Sequence, residues 1–326
     1  MDLRFISLSE IDLDDRSFEI RKLGSPLRLR ESLANFGILD PPWLREKGKG
    51  LIVVDGFKRL VWAKDSGAPG TVCRVFSEKC SGRDLWTRRI EKRLFEPGID
   101  IAEKAQIVSI LLELFESEEL PAPVLASLNV TNRPDFLRRW ASLSEKGDGV
   151  LELLSLGTIA ERAALEVADW DERSTNKILT ILGLLKCSAS IQVEMIERIN
   201  ELALRDGKDR SDVMEVPPIG EILVSKELNH RQKTQALRNL LSELRFPRLT
   251  SRQKRFGLEV QSLGLPPQIR IIPPPAFEGK NWKMELSFTA TEELRGVLVS
   301  ADSAAMSGLL DAIMSPRLRE TKDKQS

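Results

Sequence analysis

The stretch Leu51–Gly67, LIVVDGFKRLVWAKDSG, is the most informative part of this chain. Its β-branched run predicts a buried strand, which ends at Asp55 and Gly56. A helix with one apolar face then begins, and its first turn carries Lys58 and Arg59. Glycine lets a backbone come close to an anion, and the first-turn N–H groups of a helix attract negative charge. We therefore predict an anion-binding turn at Gly56, Lys58 and Arg59.

The residues around this turn predict a small mixed α/β domain over residues 1–95. Short alternating or β-branched runs predict strands at residues 4–8, 42–45, 51–54 and 71–76. Apolar residues at helical spacing predict helices at Leu27–Phe36, which Gly37 ends, and at residues 57–66.

Two further regions follow, so the predicted fold class is α+β. Residues 96–207 predict an all-helical domain, with helices at residues 121–128, 134–143, 150–154, 159–168, 177–185 and 191–204. Residues 208–326 predict a linker and a small α/β extension. The linker is indicated at residues 206–219. After it, the sequence predicts helices at 231–244 and 251–263, a strand at 282–288, a helix that begins at Thr291, and a polar tail at 317–326.

The composition excludes several classes of function. Lys+Arg and Asp+Glu are both 49, so a nucleic-acid surface would have to be a local basic patch. A single histidine, His230, argues against a histidine-based zinc site or catalytic triad. Three cysteines without a C-x-x-C pair predict free thiols in a reducing cytoplasm. The first residues do not have the pattern of a secretory signal, and no apolar run is long enough to predict a membrane span.

Three segments, taken in order, resemble the ParB family of chromosome-partition proteins. They are ESLANFGILDPP at Glu31–Pro42, IVVDGFKR at Ile52–Arg59, and Ala63-Lys64 followed by Gly67. The resemblance covers residues 1 to about 170. It implies a ParB/sulfiredoxin-like domain that binds a cytidine nucleotide, CTP with magnesium. It also implies a bacterial protein whose helix-turn-helix at Leu120–Leu143 binds double-stranded DNA, and a homodimer.

The nucleotide residues that the resemblance implies are incomplete. Gly56 and Arg59 match the family's Gly-Glu-Arg-Arg motif, whereas Phe57 and Lys58 replace its acid and one arginine. Glu91 matches the start of a metal-linked Glu-Asn-x-x-Arg motif, but the residues after it do not, and the metal ligands stay unassigned. An early nucleotide-contacting arginine matches either Arg16 or Arg21. The resemblance therefore implies the fold and nucleotide contact at Gly56, Lys58, Arg59, Arg21 and Glu91 more than hydrolysis.

Three basic segments are candidate DNA contacts. They are the second helix of the implied helix-turn-helix (Arg133, Arg138, Arg139), the helical segment at the end of the α/β domain (Arg88, Arg89), and the most basic stretch of the chain (Arg245, Arg248, Arg252). Lysine and arginine density of this kind supplies salt-sensitive affinity for phosphate. The alternative interpretation of each segment is a solvated charged surface.

Three other functions are alternatives to DNA binding. A sulfiredoxin activity needs a cysteine in the basic loop, and it is excluded because that loop is DGFK here. A CTP hydrolase or a nuclease stays open, although Asp55 and Glu91 alone are few carboxylates for metal chemistry. A protein-interaction adaptor with a vestigial anion site also stays open. The sequence does not indicate a DNA site or the process served, whether chromosome or plasmid partition or transcription-related DNA organisation.

Overall fold

A five-stranded mixed sheet organises the N-terminal part of the chain. The computed structural model describes residues 2–20, 27–116 and 119–314, and the strands are β1 (Asp2–Ser7), β2 (Ile11–Asp12), β3 (Trp43–Lys47), β4 (Gly50–Asp55) and β5 (Gly70–Phe76). Their order is β1-β5-β3-β4-β2, in which β1/β5 and β3/β4 are antiparallel while β3/β5 and β2/β4 are parallel. The strands predicted around the Leu51–Gly67 stretch are therefore confirmed, and β4 lies inside the sheet.

Both faces of β4 are covered, which explains its continuous apolar run. Val53 packs into a cluster that includes Leu60 of helix α2 (Phe57–Asp65). Ile52 and Val54 pack into a second cluster, which includes Leu85 of helix α3 (Gly82–Leu94). A strand that is buried on both faces needs apolar side chains at successive positions, as the sequence shows. The predicted helix α1 (Leu27–Phe36) is confirmed with its bounds, and Gly37 follows it at a φ of 69°.

The next region is helical, as predicted. Its helices are α4 (Ile101–Leu114), α5 (Ala122–Ser127), α6 (Pro134–Ser144), α7 (Asp148–Ser155), α8 (Glu161–Glu166), α9 (Glu172–Leu185), α10 (Ala189–Asp206), α11 (Arg210–Met214) and α12 (Pro217–Val224). Asp100 and Glu103 form a capping box at the start of α4, whose Ala102, Ala105 and Val108 are buried. This helix packs against α6 and α7 and forms the centre of the region.

The structure differs from the predicted linker at residues 206–219. Residues 210–214 and 217–224 are the helices α11 and α12, with Val213, Met214 and Ile219 buried. Pro217 and Pro218, which fall within the predicted linker, occupy the first turn of α12, where a proline loses no intrahelical hydrogen bond. The chain divides instead into two compact units at Met1–Ala236 and Leu237–Ser326.

The second unit is a small α/β assembly, in line with the extension predicted for this region. Helix α13 (His230–Arg245) runs across the boundary, and α14 (Pro247–Ser262), β6 (Ile269–Ile272), β7 (Lys283–Leu286), α15 (Thr291–Met306) and α16 (Leu309–Met314) follow. The predicted strand at 282–288 is β7, and its antiparallel partner β6 was not predicted. The tail predicted at 317–326 lies outside the described residues. The fold is mixed α+β, and no described helix is both long and apolar enough to span a bilayer.

Candidate functional site

The predicted anion-binding turn lies at the end of β4, where the chain enters α2. Gly56 is left-handed, with a φ of 93°, and offers no side-chain cap to the helix. A Cβ at this position would lie 3.0 Å from the Pro42 Cβ and 3.1 Å from the Arg59 Nε. Glycine is therefore needed here both for the positive φ and for the close approach of Arg59. We call Gly56 and the first turn of α2 the Gly56 corner.

The Arg59 side chain folds back to two carboxylates rather than pointing to solvent. Its Nη2 donates to Asp55 Oδ2 at 2.9 Å, and its Nη1 donates to the Asp40 carboxylate. Lys92 of α3 binds the same two acids, with its Nζ 2.7 Å from Asp40 Oδ2 and 2.7 Å from Asp55 Oδ2. Arg89 completes the group, since its Nη1 lies 2.9 Å from Asp55 Oδ1 and 2.6 Å from the Val54 carbonyl oxygen.

This carboxylate-cation cluster, defined as Asp40, Asp55, Arg59, Arg89 and Lys92, keeps both acids ionised. Burial by itself would raise the pKa of Asp55, but the charges of Arg89, Arg59 and Lys92 outweigh it and lower that pKa below its ordinary value. The pKa of Asp40 is lowered in the same way, because hydrogen bonds from Lys92 and Arg59 outweigh its desolvation. Burial lowers the pKa of Arg89 below its ordinary value, which the Asp55 carboxylate partly offsets.

A second ion pair links α3 to α4. Arg93 of α3 forms a bidentate ion pair with Glu103 of α4. The Nε–Oε1 distance is 2.9 Å and the Nη2–Oε2 distance is 2.7 Å. Both residues are buried, and Arg93 also donates to the Glu96 and Gly98 carbonyl oxygens. Despite the cost of burying Arg93, the Glu103 carboxylate raises the pKa of Arg93 above its ordinary value. The pair joins the α/β part of the chain to the helical part.

The cavity at the Gly56 corner measures about 450 Å³, within the range of small-molecule sites. Its charged lining residues are balanced in number: Glu19, Asp40, Asp55, Glu96 and Glu103 against Lys58, Arg59, Arg89, Lys92 and Arg93. The remaining lining includes apolar side chains such as Ile20, Leu33 and Leu39. The cavity is therefore amphipathic and nearly neutral, unlike an open basic pocket.

The predicted nucleotide residues are only partly brought together. Gly56, Lys58 and Arg59 all line the cavity. Glu91 is exposed on α3 and is not among the lining residues, so its nucleotide role stays a prediction. Arg21 lies outside the described residues. Arg16, the other early candidate, pairs with Glu19 at 3.1 Å and lies 5.4 Å from the Phe57 ring.

The helices α5 and α6 carry the arginines that were predicted to contact DNA. They are joined by a turn in which Asn129 is left-handed, with a φ of 53°. Arg133 is exposed immediately before α6 and lies 5.4 Å from the Phe136 ring. Arg138 is 75% exposed and forms an ion pair with Asp135, one turn earlier in the same helix. Arg139 is less exposed, 3.9 Å from Glu166 and from Asp169.

The two predicted DNA contacts on α3 differ from each other. Arg88 is exposed, so its side chain remains available for a phosphate. Arg89 is only 8% exposed and is held by Asp55 and the Val54 carbonyl. The structure thus corrects the interpretation of Arg89 as a surface contact. Successive residues of a helix point in directions about 100° apart, so one can face solvent while the next faces the core. In this arrangement Arg89 supports β4 and the Gly56 corner.

The second unit separates its candidate arginines in a similar way. Arg248 is exposed at the start of α14, and Arg245 lies 4.7 Å from the Phe246 ring. Arg252 instead pairs with Glu259 at 2.9 Å, donates to the Ile313 carbonyl and lies 5.0 Å from the Phe277 ring. With its side chain 12% exposed, Arg252 holds α14 to α16 rather than presenting a charge to solvent.

Sequence reasoning missed two residues of the carboxylate-cation cluster, one acid and one cation. Asp40 appeared only within the segment Glu31–Pro42, and Lys92 was not among the predicted nucleotide residues. Their contact joins residues 52 positions apart, so no local pattern contained it. For metal, the described residues hold no group of three or more His, Cys, Asp or Glu able to bind an ion.

Comparison with known proteins gives structural neighbours only. No protein-family model and no curated protein matches it. Among solved structures, the C-terminally truncated chromosome-partitioning protein ParB from Caulobacter crescentus is a structural neighbour in two forms. Its complex with the centromeric parS site has a TM-score of 0.34 and 14% identity, covering 60% of this chain and 99% of that chain. Its complex with CTP-γ-S has a TM-score of 0.25 and 15% identity, covering 56% and 99%.

Proposed function

We propose that this chain is a ParB-like DNA-binding protein that contacts duplex DNA through α6 and serves DNA partition or organisation. The observation that carries the proposal is the exposed pair Arg133 and Arg138 at the start of α6. The ordered ParB-like motifs of residues 31–67 support the same function independently of this pair.

The packing of α6 supports its use as a presented helix. Its inner face buries Leu137, Trp140 and Leu143, and the turn before it is anchored by Leu128 and Val130. The outer face is left with arginines whose acidic partners are themselves exposed. An exposed ion pair such as Asp135–Arg138 contributes little, so a DNA phosphate displaces the aspartate at small cost. Charge-assisted contacts of this kind position a protein on the DNA backbone without reading sequence.

The residues present do not fit the CTP and magnesium that the ParB resemblance implies. Arg59 and Lys92, two of the cations nearest the Gly56 corner, are already bound to Asp40 and Asp55. A triphosphate would bring several negative charges beside these two carboxylates, and like charges at this distance repel. We therefore propose DNA binding that does not depend on nucleotide, with no nucleotide hydrolysis.

Fluorescence anisotropy of a labelled duplex at two salt concentrations tests this function. Wild-type protein binds at low salt and loses affinity as salt rises, because phosphate contacts release counterions. The double variant Arg133→Ala/Arg138→Ala weakens binding about tenfold and lowers the salt slope by up to about two. The matched control Arg162→Ala/Arg205→Ala removes two exposed arginines from α8 and α10 and leaves affinity nearly unchanged.

Several outcomes would overturn the proposal. Absence of binding at low salt favours the protein-interaction adaptor. An equal loss in the control variant places the contact elsewhere or makes it non-specific. The same titration with CTP and magnesium, together with a phosphate-release assay, is expected to show no change and no turnover. Measurable turnover would instead favour the nucleotide hydrolase.

A further inference from the structure

In the carboxylate-cation cluster, lysine and arginine bind the carboxylate oxygens in the way that they bind phosphate oxygens in other proteins. Lys92 Nζ lies 2.7 Å from an oxygen of Asp40 and 2.7 Å from an oxygen of Asp55, and Arg59 donates to both residues. Arginine and lysine bind phosphate with the same charge-assisted hydrogen bonds and at the same distances. The cations of the Gly56 corner are therefore arranged around an anion, which the chain supplies itself.

The carboxylates of Asp40 and Asp55 differ in their exposure and in the part of the fold that carries them. Asp55 is 21% exposed, ends β4 and also binds the interior Arg89, so it belongs to the framework of the sheet. Asp40 is 54% exposed and lies in the segment between α1 and β3, where its side chain reaches Arg59 and Lys92 from the solvent side. Asp40 is thus the carboxylate that can leave without disturbing a strand.

We propose that Asp40 is a built-in anion that occupies a phosphate-binding site formed by Arg59, Lys92 and the Gly56 corner. The site takes a polyphosphate, such as pyrophosphate or the phosphate chain of a nucleotide, once the Asp40 carboxylate is absent. This inference rests on the part of the proposed function that makes DNA binding independent of nucleotide, and it names the residue responsible.

The charges of the cluster explain why one residue has this effect. Three cations, Arg59, Arg89 and Lys92, face two carboxylates, which leaves a net charge of +1. Without Asp40, the same three cations face Asp55 alone, and the net charge becomes +2. Lys92 and Arg59 then each lose one of their two carboxylate acceptors, while Arg59 still donates to the Asp40 backbone carbonyl oxygen. The partly enclosed position strengthens their attraction for an anion over that in water.

Titration calorimetry with pyrophosphate, on the full chain at low and moderate salt, tests the proposal. Asp40→Ala is expected to bind pyrophosphate at least about tenfold more tightly than wild type, a difference of about 1.4 kcal/mol. Asp40→Asn is a second variant that keeps the side-chain volume, and circular dichroism verifies that each variant folds. The matched control is Asp65→Ala, an exposed acid at the far end of α2, which changes the net charge equally.

A third variant locates the binding. Asp40→Ala/Arg59→Gln is expected to lose most of the gained affinity, because Arg59 is one of the two cations that the Asp40 carboxylate releases. A gain that persists without Arg59, an equal gain in Asp65→Ala, or no gain in either folded Asp40 variant would overturn the proposal. Repeating the titration with CTP distinguishes a site for pyrophosphate from a site for a nucleotide. Equal affinity for CTP and pyrophosphate would mean that only the phosphates are recognised.

DNA titrations of the same proteins separate this inference from the proposed function. DNA binding by wild type together with no pyrophosphate gain in the Asp40 variants defeats only the built-in anion. A pyrophosphate gain in a protein that does not bind DNA defeats only the DNA-binding function. The two failures are therefore distinguishable on one set of variants.

Discussion

The Gly56 corner and helix α6 both carry clustered cations, but those cations are used differently. At the corner, Arg59, Arg89 and Lys92 converge on Asp40 and Asp55, and each cation has a carboxylate within 3 Å. On α6, Arg138 is largely exposed, and its partner Asp135 is 69% exposed. Local density of lysine and arginine therefore does not measure the charge that a surface offers to a phosphate.

Burial explains why the two regions diverge. A cation packed against a sheet must be paired, since an unpaired buried charge is strongly destabilising. The corner therefore contains acids, and its cations mainly stabilise the junction of β4, α2 and α3. An exposed cation is already solvated, so its pairing contributes little and remains exchangeable for DNA phosphate.

The largest effect is expected from removing the acid at the centre of the corner. Asp55→Ala leaves Arg89 buried beside Arg59 and Lys92 without a carboxylate acceptor from β4, and we expect a loss of about 3–5 kcal/mol in the free energy of unfolding. Urea denaturation followed by circular dichroism measures the loss. Asp40→Ala is the matched comparison, with an expected loss of about 1 kcal/mol or less. Equal losses in the two variants would contradict the distinction between a framework acid and a replaceable one.

The next effect concerns DNA affinity and sets one arginine of each region against the other. Arg138→Glu places a negative charge on the exposed face of α6, and we expect a loss of about 1–2 kcal/mol in binding, or roughly tenfold. Arg59→Gln is expected to leave DNA affinity unchanged in protein that remains folded, because Arg59 is bound to the corner acids. Anisotropy with one duplex at one salt concentration measures both. The opposite ranking would make the Gly56 corner the DNA surface.

A smaller effect comes from an acid that belongs to neither region and tests the electrostatic reasoning by pH. Hydrogen bonds from Lys47 and Ser17 lower the pKa of Asp15 from 3.8 to about 2. Because the folded-state pKa is the lower one, the stabilisation is present above 3.8 and disappears as the pH falls toward 2. Asp15→Asn is expected to cost about 1 kcal/mol or less at pH 7, since Lys47 is exposed.

Urea denaturation of wild type and Asp15→Asn at pH 7, 5, 4 and 3 follows this difference. The two proteins should converge as the pH falls. Glu46→Gln is a control, because it removes one partner of the exposed Arg4–Glu46 pair without disrupting the Asp15 contacts. A difference that stays constant down to pH 3 would mean that Asp15 acts by packing and not by its charge.

The smallest effect is the stability change of Arg138→Ala. The Asp135–Arg138 pair is exposed at both ends, so the free energy of unfolding should change by less than about 0.5 kcal/mol. The same urea denaturation as above measures it. A loss of 2 kcal/mol or more would show that this arginine is part of the framework, which would weaken its assignment as an exchangeable DNA contact.

Much of the fold was predictable from local patterns. The helix at Leu27–Phe36, the strand that ends at Asp55 and the helix that follows Gly56 have short-range causes: apolar spacing, β-branched residues and a glycine stop. The linker at 206–219 was not predictable in this way, because Pro217 and Pro218 begin a helix as readily as they mark a loop. Strand β6 was missed because Ile269–Ile272 is short and its partner β7 is eleven residues further on.

The candidate site was predictable in its position but not in its charge. Gly56, Lys58 and Arg59 were found from the turn, and all three line the cavity. Asp40 and Lys92 come from distant segments, and only the folded chain places them 2.7 Å apart. Arg88 and Arg89 are the same residue type at adjacent positions, yet Arg88 is exposed and Arg89 is buried against Asp55.

Turn chemistry and helical spacing are local properties, so the sequence alone was enough to locate the Gly56 corner and the helices that carry cations. Which of these cations are neutralised depends on ion pairing and burial between residues that are far apart in the chain, and it is visible only in the folded structure. Asp55 meets Arg89 and Lys92 since β4 and α3 pack against each other, whereas no such packing covers the outer face of α6 among the described residues. The same residue types therefore form a closed cluster in one place and an open surface in the other.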